Sequence, residues 1–512
     1  MHDFLRRRRF IVAHFEENFC ERAVTRARVF RFGAYELDAG RRRLTRALKH
    51  VVLSPRQVSV LLILVERAGD LVPKDTIVER AWGDTAVTDN SLVQIIRALR
   101  RALGNQPGGA PYIETHTRSG YRFVAPVSEA HQAVSGAEIG ALLEPFLAFV
   151  DGRAALERLD CEGAARARDA FTEILRVEPS LVVAHVGLAT ACLLGYESTR
   201  ADAVPDTGLL ARAEEHAREG CRLDPASAHA WGTFALVRHR AGDAREAVAA
   251  SRKALTLDPD DWTHHFRLAA VSWGSERLRA ARQALALRPG LALAHWFAAT
   301  VFVARGDLDR AREHLCEGSA AQDAQQADGR FRAAGLHWLL GLVLFAQGRE
   351  DDALAEFQRE LALEDLGHVY GREASANTFY ALGAHHVRAG REDEATFAFR
   401  EALKRVPGHA LASLCVPRRN DANAAVSPAS LLGRVPAIAI DVLDSVDTAV
   451  GAAIWLTMQG RHQEATGLCV AALHRAAPGS SGWILPVEPM LNVWSRREPW
   501  IPALTILRER AS

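Results

Sequence analysis

NSLVQIIRALRRALG, Asn90 to Gly104, and YIETHTRSGYRFV, Tyr112 to Val124, decide the reading of the first part of this 512-residue chain. In the first stretch Leu92, Ile96, Leu99 and Leu103 recur at steps of four, three and four, the period of one helix face. Asn90, Gln94, Arg97 and Arg101 fall on the opposite face, roughly half a turn away. Amides and guanidiniums in line suit the adenine edges, guanine edges and phosphates of a major groove; the plainer reading of such a stripe is a solvated surface. In the second stretch YIETH and YRFVA alternate around Ser119-Gly120, a tight turn in which glycine supplies positive φ. Helix and hairpin together read as a recognition helix and a wing, with Arg118 near the wing tip, in reach of a phosphate or a minor groove.

Working back from there, VFRFGAYELD, RRRLTR and HVVLS read as short antiparallel strands, broken at Gly33 and at Ala39-Gly40. LSPRQVSVLLILVERAG follows as a helix, with Ser54 as N-cap, Pro55 at its first position, Leu53 stapling against Val58 and Gly69 closing it. Pro73 to Gly83 reads as a shorter helix, and Asp89 as the cap of the third.

Strands, three helices and a wing in this order, with LSPRQVSVLLILVERAGDLV, IVERAWGD, DNSLVQIIRALRRALG and YIETHTRSGYRFVAPV, closely resemble the OmpR-type winged-helix DNA-binding domain of bacterial response regulators over about 100 residues. The resemblance implies that Asn90, Val93, Gln94 and Arg97 face bases, that Arg100 and Arg101 face phosphates, and that Trp82, Thr115, Arg118 and Tyr121 touch the DNA backbone. Val93 stands where a polar residue is common. Members of that family usually carry a phosphorylatable receiver domain ahead of the winged helix. Only 28 residues precede it here, so aspartyl phosphorylation is not the expected switch. The arrangement is closer to that of enteric invasion-gene regulators and actinomycete antibiotic regulators.

Charge agrees with a local nucleic-acid face. Val29 to Val127 holds 15 Lys and Arg against 9 Asp and Glu, although the whole chain is only +1. Seven cysteines without a CxxC pair or regular spacing argue for a reducing compartment rather than a disulfide framework. No apolar run approaches the ~18 residues of a membrane helix. The basic start RRRRFIVAHFEENF is broken too early by His14, Glu16 and Glu17 to be an export signal.

Beyond a small, polar stretch from Ser128 to Gly140 the composition turns to Ala, Leu and Arg, and punctuation repeats. Prolines at 225 and 259 stand 34 residues apart, and Pro289 follows a shorter unit of 30. Trp231, Ala235, Gly242, Ala247, Ala254 and Pro259 have the spacing of a tetratricopeptide repeat. Partial copies follow at Ala299, Gly306 and Ala311, then at Gly341, Gly348, Ala353 and Phe357, and then at Gly383, Gly390, Ala395, Phe399, Ala402 and Pro407. The resemblance to that family implies a solenoid whose groove takes a protein or peptide, or a second copy. His264-His265 and His385-His386 are poor chelates, since neighbours on a helix diverge by about 100°, and read as ordinary helix-surface histidines. SSGWILPVEPMLNVW, with Pro486 and Pro489, reads as a cap on the last repeat.

The expected fold is an α+β winged helix-turn-helix domain followed by an all-α tetratricopeptide-repeat solenoid. Its expected divisions are an extension (1–28), the winged helix (29–127), a linker (128–144), the repeats (145–480) and the cap (481–512). No GxxxxGK[ST], GxSxG, HExxH or GxGxxG motif stands in a catalytic context, so no enzyme, cofactor or metal is expected. The expectation is a cytoplasmic bacterial transcription regulator on double-stranded promoter DNA, with the repeats for partner binding, self-association as a homodimer or effector sensing, and no membrane. A repeat scaffold whose winged helix contacts protein is the alternative, but it has no need of Gln94, Arg97 and Arg101 in line.

Overall fold

The structure, a computed structural model, describes residues 28–39, 42–47, 49–82, 89–117, 119–131, 136–324, 331–416 and 445–512. It divides into two compact units, Met1–Leu147 and Ala148–Ser512.

In the first unit β1 (Arg28–Phe32), β2 (Tyr35–Asp38), β3 (Arg43–Arg46) and β4 (Lys49–Val51) form an antiparallel meander. Gly33 turns between the first two at φ 54. Helix α1 (Pro55–Val65) starts as its sequence requires: Ser54 Oγ accepts from Gln57 N, and the Gln57 side chain accepts from Ser54 N. Pro73 is the last residue of β5 (Leu71–Pro73), and α2 (Lys74–Trp82) begins one residue later. Then come α3 (Asp89–Leu103), β6 (Ile113–His116) and β7 (Gly120–Phe123). Asp89, expected as a cap, is already the first helical residue.

Two features escape the sequence reading. β5 pairs with β7, so the wing is three-stranded, in the order β5-β7-β6. Ser128–His131, inside the stretch expected to be a linker, is a strand, β8, antiparallel to β1. Arg28 Nε donates to Glu129 Oε1 at 2.5 Å across this pair, and Arg28 Nη1 donates to Glu66 Oε1 at 3.1 Å. An edge strand covered this way cannot template another chain. The core between sheet and helices centres on Phe32, Tyr35, Tyr112 and Phe123, with Phe32 and Phe123 edge to face at 5.0 Å.

Helices α4 (Gly136–Glu157) and α5 (Cys161–Val177) precede the pairs α6 (Val182–Thr199) with α7 (Thr207–Leu223), α8 (Ala228–Arg240) with α9 (Ala244–Leu257), α10 (Trp262–Val271) with α11 (Gly274–Leu287), α12 (Ala292–Ala304) with α13 (Leu308–Ala324), α14 (Leu336–Ala346) with α15 (Glu350–Leu361) and α16 (Gly371–Arg388) with α17 (Glu392–Arg405). The short α18 (Ala410–Cys415) and the helices α19 (Val446–Met458), α20 (His462–Arg475) and α21 (Arg497–Arg510) complete the second unit. Glycine on one helix of a pair seats the aromatic ring of the other: a Cβ at Gly341 would strike Phe357, and one at Gly383 would strike Phe399. That is the physical content of the glycine-to-phenylalanine spacing.

The repeats do not contact only their neighbours, as a simple solenoid would. Cys161 N donates to Gly367 O and Val369 N to Leu159 O, each at 2.9 Å, while Phe331 N reaches Glu157 O at 2.7 Å. Arg200 pairs with Glu373 and Arg372 with Asp202, both at 2.5 Å. The segment after α20 does more than cover the last repeat. Trp500 of α21 is fully buried beside Leu473 and Cys469. Farther back, Trp483 meets Trp296 of α12, Tyr380 of α16 donates to Glu488 at 2.7 Å, and Arg305 Nη2 donates to the Ala511 carbonyl at 2.7 Å.

His264 is fully buried and His385 nearly so, rather than both lying on a helix surface. Residues 100° apart cannot share one environment, and these first helices of each pair are packed on more than one side.

Candidate nucleic-acid interface

The interface is built on α3. Leu92, Ile96, Leu99 and Leu103 are at most 2% exposed and anchor the helix on the core. Tyr35 donates its hydroxyl proton to Leu103 O at 2.7 Å, fixing the C-terminal end of the helix to the sheet, and Gly104, at φ 65, ends it. This anchoring turns Gln94, Arg97 and Arg101 to solvent, with Val93 half-buried beside them. Among the described residues neither Arg97 nor Arg101 has an ion-pair or hydrogen-bond partner. Two uncompensated guanidiniums on one face attract an anion at no cost of breaking an internal pair.

Arg100 lies differently. Its Nε and Nη2 donate to the Ile113 carbonyl at 3.0 and 2.8 Å, and Nη2 also reaches Thr115 Oγ1 at 2.7 Å. One expected phosphate ligand is thus largely engaged in holding the helix against the first wing strand, and Thr115 is its exposed partner. Only Nη1 remains for another acceptor. Tyr121, opposite Thr115 in the register, is 3% exposed, because β7 is the central strand with Val72 on its other side. At the wing turn Ser119 N donates to His116 O at 3.0 Å. Glycine is obligatory at 120, since a Cβ there would run into the Val72 carbonyl of β5. Arg118 and the side chains of Trp82 and Asn90 lie outside the described residues.

Sequence reasoning missed the double role of the Arg100-Arg101 pair. Neighbouring helix residues diverge by about 100°, so both could not face the same phosphate.

Residues 49–123 match the family described as "Transcriptional regulatory protein, C terminal", and residues 228–261 match "Tetratricopeptide repeat". The chain therefore carries an OmpR-type DNA-binding domain of the transcriptional-regulator class followed by tetratricopeptide repeats. Among relatives, the transcriptional regulator HilA of Salmonella typhimurium is 44% identical over 84 residues, 16% of this chain and 15% of that protein. The transcriptional activator CadC of Escherichia coli is 26% identical over 100 residues, 19% of this chain and 20% of that protein. The solved DNA-binding domain of E. coli CadC is 25% identical, with 20% of this chain and 96% of that chain covered and a TM-score of 0.19. The match thus spans about 15% of the length of the first of these relatives. Among the described residues no helix is long and apolar enough to cross a membrane.

Proposed function

We propose that the chain is a cytoplasmic, non-enzymatic transcriptional regulator that binds double-stranded promoter DNA through α3 and its wing. The observation that carries this reading is the exposed, unpaired row of Gln94, Arg97 and Arg101 above a fully buried apolar face. In this reading Asn90, Val93, Gln94 and Arg97 meet bases, while Arg101, Thr115, Arg118 and Trp82 meet the backbone. Arg100 contributes its remaining donor and Tyr121 supports the wing from within. The names of the relatives, regulators and activators of transcription, support the same reading. The DNA-binding module extends to His131 rather than Val127, because β8 completes its sheet.

The repeats serve protein contacts, self-association or effector sensing. The face of α12, α14 and α16 met by the C-terminal segment is open to a partner only if that segment moves aside. Genome-wide mapping of DNA bound by the full chain tests the proposal. Enriched promoter sites with direct-repeat half-sites about one helical turn apart are expected, and their loss in a folded Gln94→Ala/Arg97→Ala double variant. Absence of any enriched DNA would refute it.

A further inference from the structure

We propose that His295, His314 and Glu317 form a binding site for a borderline divalent cation of the Zn²⁺ class, clamping the two helices of one repeat. His295 lies on α12, and His314 and Glu317 are three residues apart on α13, on one face. His295 Nδ1 is 3.3 Å from His314 Nδ1 and 3.4 Å from Glu317 Oε2. Metal–ligand bonds of about 2.0–2.1 Å in a tetrahedron place neighbouring donors about 3.4 Å apart, which matches both distances from His295, and all three donor atoms lie within 4.8 Å of one another.

Protons alone do not account for this contact. The His295 ring also hydrogen-bonds the backbone of Pro289, whose carbonyl can only accept, so that bond uses a ring proton. In its neutral form the His295 ring can present a lone pair at Nδ1, 3.4 Å from a carboxylate oxygen that also has only lone pairs. His314 has one proton to offer, and it can satisfy one of the two. A cation between them satisfies all three donors. The Pro289 carbonyl then acts as the outer partner that orients a ligating histidine, and Phe302 stacks on His314 at 5.4 Å. Glu313 and Glu317 stand near His314, with Arg282 as a cation that opposes them. Glu317 is 65% exposed, which leaves a path for entry and room for water as a fourth ligand.

The chain holds its own control. His185 and His216 have the same placement on α6 and α7, with Nδ1 atoms 3.0 Å apart and His185 Nε2 on Pro179 O at 2.9 Å. The residue three beyond His216 is again a glutamate, Glu219, but both its oxygens are taken by Arg222, at 2.6 and 2.7 Å. That pair is therefore a hydrogen bond without a third ligand. A second triad, His229, Asp261 and His264, is packed against the half-buried Arg267, whose guanidinium opposes a dication there.

The full chain, stripped of metal and titrated with Co²⁺, is the test. The expected result is one equivalent bound with the visible absorption of a tetrahedral site, displaced by Zn²⁺. Glu317→Gln, at an exposed position that cannot unfold the repeat, and His314→Gln each weaken binding by at least about tenfold. His216→Gln and His264→Gln leave it unchanged. Absence of the tetrahedral band, its survival in Glu317→Gln, its loss in His264→Gln, or a thiolate charge-transfer band placing the metal on cysteine would each overturn the proposal.

Discussion

Arg100 and Ile113 join the recognition helix to the wing: the guanidinium of one donates twice to the carbonyl of the other, at 3.0 and 2.8 Å. The angle between helix and wing is thereby set within the protein before any DNA arrives. Arg100→Ala leaves the Ile113 oxygen without these donors and is expected to cost about 1–3 kcal/mol. Arg101→Ala, one residue on and facing solvent, is expected to stay within about 0.5 kcal/mol. Urea unfolding of the Arg28–His131 module measures both. Equal losses would show that Arg100 has no such holding role.

The second prediction concerns β8. A module ending at Val127 lacks four residue pairs along β1 and the Arg28–Glu129 ion pair. It is expected to be less stable than one ending at His131 by about 1–3 kcal/mol, a few net hydrogen bonds. It should also associate more readily, since the β1 edge is then bare. Denaturation midpoints and sedimentation of the two fragments check this. Indistinguishable fragments would mean that β8 adds nothing to the sheet.

Glu488 gives a pH dependence with a definite sign. It accepts from the Tyr380 hydroxyl and from Met490 N, and burial pushes its pKa up from 4.5 to about 7. Between those values the folded state keeps a proton that the unfolded state has lost. Its contribution therefore falls as pH rises from about 4.5 to 7, by about 3 kcal/mol in all. Half-buried His229 and buried His368, held down to about 4, act in the opposite sense: their contribution is present above the ordinary histidine pKa and is lost as pH falls toward 4. The difference between the wild type and Glu488→Gln isolates the carboxyl. The advantage of wild type over the variant is expected to shrink from pH 5 to pH 8, read from denaturant midpoints. A constant difference would sink the assignment.

Much of the architecture could be read from local rules. The Ser54 cap, the period of Leu92 to Leu103 and the glycine-to-phenylalanine spacing of the repeats each record a contact made within about 20 residues. What was missed is long-range. β5 and β8 are three- and four-residue strands whose pairing partners lie about 50 and 100 residues away, and no local pattern marks them. The C-terminal segment did leave a trace. ALAHWFAATVFVA and LHWLLGLVLFA, the sequences of α12 and α14, are apolar around nearly their whole circumference, which requires cover on both sides. The cluster of His295, His314 and Glu317 is hidden in the sequence because its residues come from two helices, whereas adjacent histidines stand out.

The last prediction separates Arg97 from Arg101 on DNA. Both are exposed on α3, and four residues place them one turn apart along the same face. Arg97, one turn closer to the N-terminal end, is the residue proposed to pair with guanine O6 and N7, a bidentate contact that only one base pair offers. Arg97→Ala should therefore cost about 1–3 kcal/mol on a mapped site and relax preference at one position, with little change on scrambled DNA. Arg101, toward the end of the helix, meets a phosphate in this proposal, as does Arg118 at the wing turn. Replacing either should weaken specific and scrambled DNA alike and reduce the salt slope by about one unit, since one fewer counterion is released. The Arg100 variant provides the contrast: it should lower affinity in proportion to its loss of wing stability and leave the slope less affected. Anisotropy titrations over a salt series, on one mapped and one scrambled duplex, read all four variants together. If Arg97→Ala weakens both duplexes equally while Arg101→Ala weakens only the mapped one, the assignment of bases and phosphates along α3 is reversed.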